Sequence, residues 1–237
     1  MFSNIKAILF DSGHTLNYPR TGNWFIPPNF HKHVEPGVFA SVDPARLQQA
    51  IARARNLLDY HCVVSDEVDE CRQFTGFYRA LASEFPELEI SDGAIAGLAE
   101  DTVYNDEKFV FYEDVVEMIP KFSRKYKLGI VSDTWPSLER VFTHAGLKNY
   151  FSSFVMSCAL GVRKPHPLMY QTALSELGIE PREALFVDDS VTNVEGAKAL
   201  GIHAVLILRS GRPDQDPGHL YVTNLAELEE LLEEAGI

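Results

Sequence analysis

The sequence predicts an α/β protein, a doubly wound parallel sheet whose first strand is separated from the others by a long helical insertion. Three observations carry this reading. Short continuous apolar runs recur along the chain, and such a run, cut off by turn residues, fits a strand buried on both faces. Helical patterns separate the later runs, so strands and helices alternate as a right-handed βαβ series requires. The spacing fails once: a second strand is due within about 30 residues of the first and arrives only near Leu128.

The first strand is Ala7-Ile8-Leu9-Phe10, ended by Asp11-Ser12-Gly13. A loop rich in Pro, Asn and His follows, from Asn17 to Gly37. Asp43-Pro44 then supplies an N-cap and a first-turn proline ahead of the stripe Leu47, Ile51, Ala54 and Leu58. Ser65 opens a second stripe through Val68, Cys71, Phe74, Tyr78 and Leu81, and Ser91 a third through Ile95, Leu98 and Val103. A helical insert over 17–108 follows from these stripes, with 1–16 and 109–237 forming the core. Within the core, strands are expected at Leu128–Val131, Ala184–Val187 and Ala204–Leu208, with a weaker one at Phe154–Met156. Helices are expected at Glu113–Tyr126, Pro136–Ala145, Pro167–Leu177 and Asn193–Leu200.

Bulk properties narrow the function classes. The chain has 237 residues, 46% of them hydrophobic and 11% aromatic, enough for a sizeable core without covalent staples. A net charge of −13 argues against nucleic acid or an anionic membrane as partner, because the global field repels polyanions. Small phosphorylated molecules remain compatible, since local basic groups can override the average. Cys62, Cys71 and Cys158 form neither a CxxC motif nor a disulfide framework, as expected of reduced thiols in the cytoplasm. The start MFSNIKAILFD offers no signal-peptide apolar region, and no apolar stretch approaches the ~20 residues of a membrane span. Oligomeric state is not legible.

In open parallel sheets ligands bind at the carboxyl ends of the strands. Asp11, Ser12, Gly13, His14 and Thr15 follow the first strand, and Ser132 and Asp133 follow the second. Arg163-Lys164-Pro165 follows the third, and Asp188, Asp189 and Ser190 the fourth. Carboxylates, hydroxyls and a lysine thus converge on one sheet edge. A carboxylate can attack phosphorus and divide one difficult displacement into two easier ones. Anion attacking anion needs neutralisation, which Mg²⁺ on acidic oxygens supplies. A lysine and a hydroxyl can hold the phosphoryl oxygens. Asp11 as nucleophile, Asp189 as metal ligand, and Lys164 and Ser132 as phosphoryl anchors fit that plan.

The four segments ILFDSGHTL, GIVSD, RKPHP and FVDDSVTNVEGAKALG resemble the ordered motifs of the haloacid dehalogenase superfamily. The resemblance covers the core, and the inserted helices sit where members with a C1-type cap carry theirs. It implies a Rossmann-like fold and hydrolysis of a small phosphorylated metabolite with Mg²⁺ through an aspartyl-phosphate. By position it implies Asp11 as nucleophile and metal ligand, Ser132 and Lys164 as catalytic anchors, and Asp189 as metal ligand with Asp188 supporting. Ser12, Gly13 and Asp133 fall among the phosphate-contacting positions, and the Gly13 backbone carbonyl at a metal position.

One departure stands out. The family's hydrolases usually carry a second aspartate two residues after the nucleophile as general acid and base, a role worth roughly 10²–10⁴-fold in rate. Here that residue is Gly13. Three readings stay open: His14 substitutes, since its ordinary pKa suits the task; a residue of the insert such as Arg20, His31 or His33 reaches in; or the protein is a weak catalyst that binds a phosphorylated ligand or a partner. Dehalogenation also uses a carboxylate nucleophile, but enzymes of that kind dispense with the acidic pair that Asp188-Asp189 supplies here. Phosphonate cleavage would need a cap lysine, and Asn17–Glu107 holds only Lys32.

Overall fold

A computed structural model describes residues 4–59, 63–213 and 215–234 of the chain. The strands are β1 (Ala7–Phe10), β2 (Asn17–Pro19), β3 (Phe109–Phe111), β4 (Lys127–Ser132), β5 (Phe151–Met156), β6 (Ala184–Asp188), β7 (His203–Ile207) and β8 (Tyr221–Val222). The helices are α1 (Pro36–Ala40), α2 (Pro44–Asp59), α3 (Glu67–Glu84), α4 (Asp92–Tyr104), α5 (Glu113–Phe122), α6 (Ser137–His144), α7 (Ser157–Leu160), α8 (Pro167–Leu177), α9 (Val191–Ala199) and α10 (Leu225–Glu234). Among the described residues no helix is long and apolar enough to cross a membrane.

Six strands form one parallel sheet in the order β5-β4-β1-β6-β7-β8. Sequence order runs outward from β1 in both directions, so β1 is the topological switch point, where a crevice opens at the carboxyl ends of an α/β sheet. In register, Phe10 of β1 pairs with Ile130 of β4 and Val187 of β6. The next residue of β1 is therefore level with the end of β6, which places Asp11 beside Asp188.

Alternation along the strands divides the core. Ala7 and Leu9 of β1, Phe186 of β6 and Ala204 and Leu206 of β7 pack with Met169, Tyr170, Ala173 and Leu177 of α8 and Val194 and Ala197 of α9. Ile8 and Phe10 turn to the opposite face, where the Phe10 ring lies 6.2 Å from Phe122 of α5. β5 lies at one edge, and only Phe151, Ser153 and Val155 are buried along it. Its serines and alternating burial explain why it reads weakly as a strand beside the continuous runs of β1, β4 and β6. The loop after Gly13 contains β2, and β8 lies near the C-terminus; neither announces itself as an apolar run.

By contacts the chain divides into two compact units, one of residues 1–18, 111–134 and 138–237, the other of 19–110 and 135–137. The second has its own core, with Ile51, Ala54 and Leu58 of α2, Phe74, Phe77, Tyr78 and Leu81 of α3, and Ile95, Leu98 and Val103 of α4. Its helix starts follow the side-chain chemistry: Asp43 accepts from Arg46 N (2.7 Å), and Ser91 accepts from Ala94 N (3.2 Å). At α3 the cap is Asp66, which accepts from Asp69 N. Trp135–Ser137 joins this unit through a ring contact of Trp135 with Phe74 and through Glu70. The buried Glu70 carboxylate accepts from Ser137 N (2.9 Å) and Ser137 Oγ (2.7 Å), satisfying the start of α6. Cys158 is buried and Cys71 half-buried, while Cys62 lies outside the described residues.

Candidate active site

Lys164 is the hub of the site. Its ammonium donates to Asp11 Oδ1 at 2.5 Å and to Asp188 Oδ2 at 2.7 Å. The lysine side chain is 1% exposed and Asp188 is fully buried. An aliphatic stem with a charged tip is tolerated at such a place because two carboxylates pair with the charge. Three devices fix it there. Asp133 Oδ1 accepts from the Lys164 backbone N–H at 2.9 Å. The ammonium lies 5.5 Å from the centre of the Phe186 ring. Behind the loop, Gly196 of α9 lets the helix come so close that a methyl group there would meet Pro165 Cβ at 2.5 Å and Tyr170 Oη at 3.1 Å.

Asp188 is held equally firmly. Its Oδ1 accepts from Ser190 N at 2.8 Å, and Asn193 Nδ2 reaches both carboxylate oxygens at 3.1 Å. Asn193 therefore orients the buried aspartate from the first turn of α9. Asp189 is exposed, and oxygens of Asp11, Asp188 and Asp189 all lie within 4.8 Å of one another. Two carboxylates thus share one ammonium with a third beside them, and the surplus of negative charge appears in their protonation. Burial pushes the Asp11 carboxyl up to about 7, against the pull of Lys164 and with Asp188 and Asp189 adding to the push. Burial alone would lower Lys164, but Asp11, Asp188 and Asp133 hold its ammonium above the ordinary range. A hard cation with oxygen ligands would offset the surplus negative charge, and this donor set is of the type that holds Mg²⁺.

The loop after Asp11 folds back on itself. Ser12 O accepts from Thr15 N, Leu16 N and Asn17 N, and Ser12 Oγ accepts from Asn17 Nδ2 at 2.7 Å. Asp11 N donates to Val187 O of β6 at 2.9 Å. Gly13 is half-buried and bridges to Asn17. His14 adopts a left-handed backbone with φ of 56° and is exposed. Although its side chain reaches solvent, desolvation by the crowded site and then Asp188 raise the Asp189 carboxyl, and His14 lies near enough to oppose them. Ser132 is buried at the end of β4, the neighbour of β1.

The structure therefore brings Asp11, Lys164 and Asp188 into direct contact, with Asp189 beside them and Asp133 behind Lys164. Ser12 turns its hydroxyl into its own loop. Arg20, His31 and His33 have partners inside the second unit: Arg20 Nε donates to Glu107 O, the His31 ring meets Phe30 and Phe39, and the His33 ring lies against Gly97. Trp24 and Phe25 pack there too, on Phe109 and Phe77. Sequence reasoning missed Arg209, which grips Thr15 O with Nε and Nη2 at 2.9 and 2.7 Å. Its position just past β7 was the available signal, since that is another strand end on the same edge.

Residues 47–207 match the family described as Haloacid dehalogenase-like hydrolase, a span holding Ser132, Lys164, Asp188 and Asp189 but beginning after Asp11. A glyceraldehyde 3-phosphate phosphatase of Methanopyrus kandleri is 26% identical over 224 residues, covering 90% of this chain and 88% of that protein. The crystal structure of a phosphatase of the same family from Thermococcus onnurineus superposes with a TM-score of 0.66 at 23% identity, over 96% of this chain and 98% of that one. A 2-haloacid dehalogenase from Pseudomonas syringae superposes with a TM-score of 0.64 at 18% identity, over 97% and 99%. Identities this low in the two structures establish a shared fold alone.

Proposed function

This chain belongs to the haloacid dehalogenase-like hydrolases, and we propose that it hydrolyses a small phosphorylated metabolite in the cytoplasm, with Mg²⁺, through an aspartyl-phosphate at Asp11. The observation that carries this reading is the group of three carboxylates around one buried lysine at the sheet's switch point. Asp11, Asp188 and Asp189 are the side chains that would hold the metal, with the Gly13 carbonyl as a backbone ligand. Bound there, Mg²⁺ supplies the positive charge that lets a carboxylate approach an anionic phosphoryl group.

The residues of the chain account for the rest. An Asp11 carboxylate oxygen forms a bond to phosphorus as the bond from phosphorus to the ester oxygen breaks. Lys164 and Ser132 steady the phosphoryl oxygens as charge gathers on them. Water then attacks phosphorus, the bond to Asp11 breaks, and inorganic phosphate leaves with the carboxylate restored. Gly13 offers the departing alkoxide no proton, so turnover is slow and favours leaving groups that need none.

Phosphate release from a panel of phosphorylated metabolites tests the reading. Wild type with Mg²⁺ is expected to release phosphate, and Asp11→Asn to release none. Wild type that neither binds Mg²⁺ nor releases phosphate from any of them overturns it. Halide release from 2-haloacids without Mg²⁺, lost in Asp11→Asn, would establish dehalogenation instead. Gly13 favours a second reading, a weakly catalytic protein that binds a phosphorylated ligand or a partner, which brisk wild-type turnover excludes.

A further inference from the structure

We propose that Arg209 is a positioning residue for the Asp11 loop, its two-pronged hold on the Thr15 carbonyl setting how Asp11 and the Gly13 carbonyl are presented to a divalent cation. The inference rests on the phosphotransfer reading of the site. Three N–H donors onto Ser12 O and the Asn17–Ser12 side-chain bond make residues 12–17 a self-closed unit. Internal bonds shape such a unit without orienting it. Its far end is tied at two successive carbonyls, where Arg209 donates twice to Thr15 O and Tyr112 N donates to Leu16 O at 3.1 Å.

The guanidinium is itself fixed by two further contacts. Nη1 donates to Asp114 Oδ2 at 2.7 Å, and the same oxygen accepts from Leu225 N at the start of α10. Its central carbon lies 4.2 Å from the centre of the Tyr112 ring, and the side chain is 8% exposed. A planar fork that stacks, pairs with a carboxylate and converges two donors on one oxygen is a task for arginine that lysine cannot copy. A buried ion pair kept for stability alone could be replaced by apolar packing. Here the donors go to a carbonyl two residues from Gly13 and four from Asp11. Partners behind metal ligands typically contribute 10–100-fold in metal affinity.

The test uses full-length Arg209→Ala and Arg209→Lys with Mn²⁺ as the metal probe, read by electron paramagnetic resonance, alongside amide hydrogen exchange. Both variants are expected to bind Mn²⁺ about 10–100-fold more weakly, with lysine the milder. Exchange of the 11–17 amides should accelerate while β4 and β6 keep their protection, and added methylguanidine should partly restore Arg209→Ala. Unchanged Mn²⁺ affinity and loop exchange in both variants overturn the proposal, as does loss of protection across the whole sheet in both. Asp11→Asn/Asp189→Asn, which removes two of the three carboxylate charges, gives the baseline of a crippled site: wild type binding Mn²⁺ no better than this variant counts against the phosphotransfer reading, while loop exchange still judges Arg209.

Discussion

Gly13 and Asp11 set the chemical character of the site between them. Asp11 is anchored twice, by its backbone N–H on Val187 O and by Lys164 on its carboxylate, so the carboxylate proposed as nucleophile is held in place by the fold itself. Two residues on, the position expected to carry a proton donor has no side chain, and the neighbouring His14 is exposed. Gly13→Asp is therefore expected to raise kcat by about 10²–10⁴-fold on esters with poor leaving groups. The gain should shrink toward unity on aryl phosphates, whose leaving groups depart unprotonated. The ratio of the two gains is the measurement: equal gains on both classes would mean the new carboxylate acts on the metal site rather than as an acid. A gain confined to poor leaving groups, and absent from Gly13→Asn, would identify proton transfer.

Helices and loops show where the sequence was legible and where it was not. Asp11 and the acidic pair could be placed together because each ends a strand whose apolar run is unbroken, while Lys164 follows the weaker β5 by a short helix and joins them through chain order alone. Asn193 was legible as a residue beside the acidic pair, but its bonds to both Asp188 oxygens need the actual pitch of α9. Arg209 was legible only as a residue just past a strand end, since nothing in that loop announces that its partner is a carbonyl 194 residues away. Gly196 is the clearest case of a motif residue whose reason lies in packing. A side chain there would drive α9 against Pro165 and Tyr170, and Pro165 is bonded to the residue that holds Asp11 and Asp188. Gly196→Ala is expected to cost about 1–3 kcal/mol through overpacking, read from urea unfolding. Turnover should fall as well, because Lys164 shifts with its loop. Gly146→Ala, at a glycine with no atom within 4 Å of the added methyl, is the control at a position away from the site: its φ of 71° also disfavours alanine, so it should lose stability without losing turnover.

For the molecule as a whole, the proposed metal site predicts that proton and metal binding are linked through Asp11. The folded chain holds the Asp11 proton to about 7, whereas an ordinary aspartate releases it near 3.8. Between those values the folded state binds more protons than the unfolded, so stability from this group is full below the lower value and is lost as pH rises through 7. Glu70, in the second unit, is pushed up to about 7 by burial and has the same sign. Without metal, the melting temperature should therefore decline from pH 5 to pH 8. Mg²⁺ needs ionised ligands, so its stabilising effect should grow over the same interval. At a hundred times its dissociation constant a ligand adds about 2.7 kcal/mol, which in a chain of this size raises the melting temperature by about 5–10 °C. The net charge of −13 responds to any salt, so KCl at matched ionic strength separates screening from site binding. Melting curves at pH 6, 7 and 8 with Mg²⁺ or KCl, on wild type and Asp189→Asn, decide the matter. The Mg²⁺ increment should be larger at pH 8 than at pH 6 and absent from Asp189→Asn. An increment independent of pH, or one that survives the loss of Asp189, would place the cation elsewhere on the acidic surface and remove the metal from the chemistry assigned to Asp11.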